Sequence, residues 1–176
     1  IGVQLSPTGN ALETADAGVW PVDRCAAWHI DPDRRPQGHR TTQLVFSEPP
    51  LDAIRRLLEA CPHAALKLAP AAEIPDDWQD AAEQQWIGSG RECRQQVVWF
   101  GALAHHRRLR SAVVVDRQGH ASETLVGPDE SPGNVAHCVR RFVYEPHACV
   151  LAARLARVLA ARFGVDAVDP HVAYLT

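Results

Sequence analysis

The residues whose types and spacing best suit chemistry lie in Cys25-Ala-Ala-Trp-His-Ile-Asp-Pro-Asp-Arg-Arg-Pro36, where an apolar run stops at two carboxylates, two guanidiniums and two prolines. Pro32 removes a ladder donor and biases Asp31 toward extended backbone, so the run reads as a buried strand with Asp31 at its carboxyl end. In open α/β sheets, ligands bind at the carboxyl ends of strands near a topological switch point, which makes Asp31 a site candidate. Asp33, Arg34 and Arg35 extend the candidate set toward a substrate, because paired guanidiniums can clamp a phosphate or carboxylate bidentately. The competing reading is a solvated Asp-Pro turn in which the arginines meet water or hold Asp31 and Asp33 in ion pairs.

Positioning these residues requires a sheet. After Pro49-Pro50, the residues Leu51, Ile54, Leu57, Leu58 and Cys61 fall on one helical face, and the helix ends at Pro62. Ala64–Ala69 then reads as a second strand, parallel to the first because a helix joins them. Lys67 sits inside this apolar run and is expected to be a snorkelling or paired lysine. Glu83–Ile87 reads as a strand, Glu92–Leu103 as a short helix or a strand with helix preferred, and Ser111–Asp116 as a β-branched strand; the turn at Gln118-Gly119 precedes a further strand over Ala121–Val126. Upstream, Val3–Leu5 is a possible strand and Leu12–Asp16 a strand or loop. The composition shifts to Gly, Pro, Asp and Ser over Gly127–Gly133, which predicts a boundary between a unit over 1–126 and a second over 127–176. In the second, Arg140–Tyr144 is extended and one helix runs from Pro146 to its cap at Gly164. His171–Thr176 reads as a strand without a partner in its own unit, so that unit is expected to be incomplete.

The bulk properties narrow the function. The chain has 176 residues, no Met, a net charge of −3 and a pI near 6.3. Starting at Ile1 without methionine, it is expected to be an excerpt of a longer chain. The charge excludes the strong basic footprint of a dedicated nucleic-acid module and leaves only local contacts to phosphates. Five cysteines without a CxxC pair argue against a disulfide framework or zinc cluster and read as reduced core residues. The nine histidines show no i, i+4 ligand spacing around a carboxylate, so no metal is expected. No segment resembles a membrane span or a signal peptide, and a cytoplasmic protein is expected. His105-His-Arg-Arg-Leu-Arg110 is the densest basic run; it either touches RNA phosphates or is the solvated tip of a hairpin, and the second is expected from the acidic overall charge. The five tryptophans read as core or interface aromatics.

Three segments taken together carry a resemblance: Trp28-His-Ile-Asp-Pro-Asp-Arg-Arg35, Ala65-Leu-Lys-Leu-Ala-Pro70, and Arg141-Phe-Val-Tyr-Glu-Pro146 with Asp169-Pro-His-Val-Ala-Tyr-Leu-Thr176. In order and spacing they resemble the carboxyl-terminal portion of bacterial class I S-adenosylmethionine-dependent methyltransferases with a ferredoxin-like, THUMP-like carboxyl-terminal region. The resemblance implies an α/β fold in which residues 1–126 form the second half of a Rossmann-like methyltransferase sheet and 127–176 begin the small α+β accessory domain. It implies S-adenosylmethionine as cofactor, bordered by Asp16 and Pro32, and Asp31 facing the methyl acceptor with Asp33, Arg34 and Arg35 toward the substrate. RNA is the implied partner. Arg34 stands where related amino-directed enzymes carry a base-stacking aromatic, so base flipping is not implied. The glycine-rich loop and second-strand acid that cradle the donor in such folds are absent from this sequence, so the excerpt alone is expected to bind the cofactor poorly. Two other readings share these residues: a non-catalytic RNA or protein interaction module on the same scaffold, and a small-molecule methyltransferase.

Overall fold

Strands alternate with one long amphipathic helix, then with hairpins, and the result among the described residues is one six-stranded sheet in the order β1-β2-β4-β3-β5-β6. A computed structural model describes residues 16, 20–33, 42–129 and 133–176. The possible strand at Val3–Leu5 and most of Leu12–Asp16 lie outside these residues, as do Arg34 and Arg35.

The first crossover is the one expected. Strand β1 (Trp28–Ile30) runs parallel to β2 (Ala64–Leu68), Ile30 opposite Leu66, with helix α1 (Leu51–Ala60) between them in sequence. Pro50 occupies the N-cap of α1, and the helix ends at Cys61 ahead of Pro62. Its apolar face buries Ile54 against Leu66, Leu68 and Val98, with Trp78 of the short helix α2 (Asp76–Gln79) in the same cluster. The indole Nε1 of Trp28 donates to the Cys61 carbonyl at 2.8 Å, tying β1 to the end of α1.

Strands β3 (Glu83–Ser89) and β4 (Glu92–Trp99) form a hairpin that turns at Gly90, whose φ of +64° is readily open only to glycine. The helix expected over Glu92–Leu103 is therefore strand β4, followed by a 3-10 turn at Gly101–Leu103. Its cluster of Val97, Val98, Trp99 and Phe100 is short enough to suit either state, and pairing on both edges decides it: β4 lies antiparallel between β2 and β3. Strand β5 (Arg110–Val115) then runs parallel to β3, and β6 (Ala121–Gly127) returns antiparallel to β5 across the expected turn, with Gly119 at φ +85°. The basic run His105–Arg110 is thus the connection from β4 to β5, on opposite sides of β3, and not a hairpin tip.

The segment after the boundary also packs on this sheet. The single helix expected from Pro146 to Gly164 is two helices, α3 (Ala148–Ala152) and α4 (Ala156–Phe163). They are separated where Arg154 takes φ +57° and Leu155 turns in to full burial. Phe163, the last residue of α4, is 67% exposed. Helix α3 sets Cys149, Val150 and Ala153 against Trp86, Ala112 and Leu125. Because Leu68, Gln96, Trp86 and Ala112 are successive lateral neighbours, α1 and α3 cover two ends of the same sheet face. The carboxyl terminus has partners in its own unit, contrary to expectation: Leu175 bridges both Tyr144 and Ala167, and Thr176 Oγ1 donates to the Phe142 carbonyl at 2.8 Å. Short bridges replace the long strand because each run is only a few residues long.

Candidate functional site

The carboxyl ends of β1 and β2 lie side by side, and each strand delivers one charged side chain there. Asp31 follows Ile30 directly, and Lys67 follows its register partner Leu66, so the two are lateral neighbours on the same sheet face. Lys67 Nζ donates to Asp31 Oδ2 in an ion pair whose side chains are 40% and 48% exposed. Lys67 is thus the paired lysine expected of this strand, and its partner is the candidate acid itself. The next residue, Pro32, is buried, and Asp33 exchanges backbone hydrogen bonds with Glu48 at 2.8 and 2.9 Å. That bridge returns the chain to the rim of the sheet on the far side of residues 34–41.

A hollow opens beside this rim, lined by Pro32, Thr42, Gln43, Leu44, Ser47, Leu68, Ala69 and Ala72, with about 220 Å³ of space including its mouth. Its cavity volume is only about 10 Å³, room for about one water, so the described residues do not themselves enclose a small-molecule pocket. Toward S-adenosylmethionine, buried Pro32 offers an apolar surface in this lining, whereas Asp31 is not among the lining residues and stands with Lys67 on the opposite sheet face from Leu68. Asp16, assigned to the cofactor, is exposed. Among the described residues, no group of three His, Cys, Asp or Glu side chains is arranged to hold a metal ion.

Two polar clusters escaped the sequence reading. Glu83, at the start of β3, is 3% exposed. It accepts the backbone N–H groups of His105 and His106 at 3.0 and 2.8 Å on Oε2, and the Ser111 hydroxyl at 3.0 Å on Oε1. The available signal was a carboxylate directly after the apolar pair Ala81-Ala82, at the start of a run read as a strand. At the other end of the sheet, His147 caps α3: its Nδ1 accepts from the Cys149 backbone N–H at 3.2 Å and lies 3.1 Å from Cys149 Sγ. Its Nε2 lies 2.9 Å from the Gly90 carbonyl, so a proton on Nε2 leaves Nδ1 free to accept. Gly88 makes room for this ring, since a Cβ there would sit 2.4 Å from His147 Cε1. Burial, then the nearby charge of Cys149, pushes the Cys93 thiol up to about 11, and burial raises Cys149 as well, so neither behaves as a nucleophile near neutrality. All five cysteines are free; Cys61 and Cys149 are buried as expected, whereas Cys138 is exposed. Of the tryptophans, Trp78 and Trp86 are core residues, 5% and 3% exposed.

Comparison with known proteins bears on what such a rim does. No family model matches the chain. It is 27% identical over 175 residues to an uncharacterized S-adenosylmethionine-dependent methyltransferase of Mycobacterium tuberculosis strain CDC 1551 / Oshkosh, covering 98% of this chain and 47% of that relative. The counterpart in strain ATCC 25618 / H37Rv gives the same identity and coverage. The chain thus spans about half the length of the curated relatives it matches. A crystal structure of a methyltransferase candidate from Porphyromonas gingivalis W83 superposes with a TM-score of 0.64 at 19% identity, covering 85% of this chain and 39% of that one. The fold is therefore one that this methyltransferase candidate shares. No helix among the described residues is long and apolar enough to cross a membrane.

Proposed function

We propose that this chain is the carboxyl-terminal portion of an S-adenosylmethionine-dependent methyltransferase acting on RNA, with Asp31 on the acceptor side of the site. The observation that carries the reading is the Asp31 carboxylate at the carboxyl end of β1, in a parallel pair, in a fold shared with a methyltransferase candidate. The names of the curated relatives support the activity and the cofactor. S-adenosylmethionine, when bound, supplies a methyl group activated on its sulfonium. The residues of this chain then position the acceptor: a carboxylate oxygen of Asp31 accepts a hydrogen bond from the acceptor's N–H or O–H and aims its lone pair. Asp33, Arg34 and Arg35 are assigned to substrate binding, since guanidiniums suit bidentate contacts to RNA phosphates. Asp16 and Pro32 border the cofactor. Residues 1–126 belong to the methyltransferase domain, 127–176 begin a ferredoxin-like, THUMP-like accessory region, and the protein works in the cytoplasm.

Calorimetry of the full-length gene product with S-adenosylmethionine tests the activity class. Binding in the micromolar range is expected, and no heat at millimolar ligand would instead favour a non-catalytic interaction module. Mass spectrometry of RNA from a deletion strain tests the acceptor: one methylated nucleoside should disappear and return on complementation. An unchanged RNA profile would redirect the search to small-molecule acceptors.

A further inference from the structure

We infer that Lys67 is a positioning residue for Asp31, holding one carboxylate oxygen so that the other is presented to the methyl acceptor; this rests on the reading of Asp31 given above. The case starts from where Lys67 stands. Its chain neighbours Leu66 and Leu68 are 0% and 5% exposed, and its backbone lies in a strand paired on one side with β1 and on the other with Val97 of β4. Although its backbone is in an interior strand, the Lys67 side chain is 40% exposed, its stem carrying the ammonium to the rim of the sheet. What the side chain does there is contact one acid: Nζ meets Asp31 Oδ2, across the register that sets the carboxyl ends of β1 and β2 level.

Stability does not account for the pair, since half-exposed ion pairs contribute only about 0–1 kcal/mol. Geometry does. Oδ2 is engaged by Lys67, and no described hydrogen bond reaches Oδ1, so the pair distinguishes the two oxygens of an otherwise symmetric group. A carboxylate on a short side chain at a strand end rotates readily, and fixing its plane removes that freedom before the acceptor arrives. The stem of Lys67 starts from a backbone paired with strands on both edges, and its ammonium is in turn held by the Asp31 carboxylate.

The test uses the full-length protein with Lys67→Met, Lys67→Arg and Asp31→Asn variants. Three measurements are made on each: S-adenosylmethionine affinity by calorimetry, single-turnover transfer of tritiated methyl to total RNA from a deletion strain, and a crystal structure. Lys67→Met is expected to slow transfer about 10- to 100-fold at saturating RNA, with donor affinity within about two-fold of the parent. Lys67→Arg should recover most of the rate, and the Asp31 carboxylate should rotate away from its parental plane in Lys67→Met but not in Lys67→Arg. Parental transfer by Lys67→Met, or an Asp31 carboxylate that stays in place without the ammonium, overturns the inference. If the parent itself methylates no RNA, the acceptor reading falls separately, and the crystal structures decide the positioning role alone.

Discussion

Glu83→Ala should loosen the connection from β4 to β5 before it weakens anything else. The carboxylate is 3% exposed and is the shared acceptor for two backbone amides and one hydroxyl, at 3.0, 2.8 and 3.0 Å. Hydrogen bonds to a charged acceptor contribute roughly 1.5–3 kcal/mol each, so the gross loss has a high ceiling. Two corrections lower it. His105 and His106 are exposed, and their amides recover water once the carboxylate is gone; alanine also removes the cost of burying a charge. Ser111 is different, because at 1% exposure its hydroxyl has no water to turn to and stays unsatisfied at about 1–3 kcal/mol. The net expectation is a destabilisation of about 2–4 kcal/mol, read as a lower urea midpoint at unchanged slope. Glu83→Gln, which keeps one acceptor oxygen, should lose about half as much. Hydrogen exchange supplies the local readout: protection of the His105 and His106 amides should fall at least about ten-fold in Glu83→Ala, beyond the global change. If both amides keep parental protection, or the midpoint does not move, the carboxylate is not what pins this connection.

Other perturbations probe the two ends of the sheet. Ile54→Ala empties a fully buried position between α1 and β2 and should cost about 2–5 kcal/mol by chemical denaturation. Gly88→Ala places a Cβ 2.4 Å from the His147 ring and should cost about 1–3 kcal/mol; adding His147→Gly should relieve part of that, and strict additivity in the double-mutant cycle would refute the contact. With iodoacetamide at pH 8, exposed Cys138 should react first, while labelling of Cys93 should rise only as pH approaches about 11. The same shift sets a stability trend: the folded Cys93 thiol holds its proton above the usual 9.0, so its contribution is intact below that pH and is lost as pH climbs toward about 11. Melting temperatures should therefore fall less steeply across that window in Cys93→Ala than in the parent.

Much of the architecture was legible because local rules and tertiary needs agreed. Pro32, Pro50 and Pro62 punctuate β1, α1 and the turn into β2, and the apolar face of α1 is the one the sheet buries. A parallel pair followed because the long connection between the two strands carries a helix, as a crossover requires. That placed Asp31 at a strand's carboxyl end, which is the part of the site that residue order alone can reach.

Elsewhere the outcome depended on contacts between residues far apart in the chain, and no local pattern encodes those. Val97–Phe100 suits helix or strand over so short a run, and β4 is a strand because β2 and β3 offer it hydrogen bonds on both edges. The helix after Pro146 breaks at Arg154 because burying Leu155 in the cluster around Trp86 and Ala112 outweighs keeping one axis. Lys67 and Asp31 are 36 residues apart, as Cys149 is from the Val113 carbonyl. Composition and order determined which side chains were worth watching, whereas the lateral register of the sheet decided which of them meet, because pairing between strands is a property of the assembled sheet and not of any segment within it.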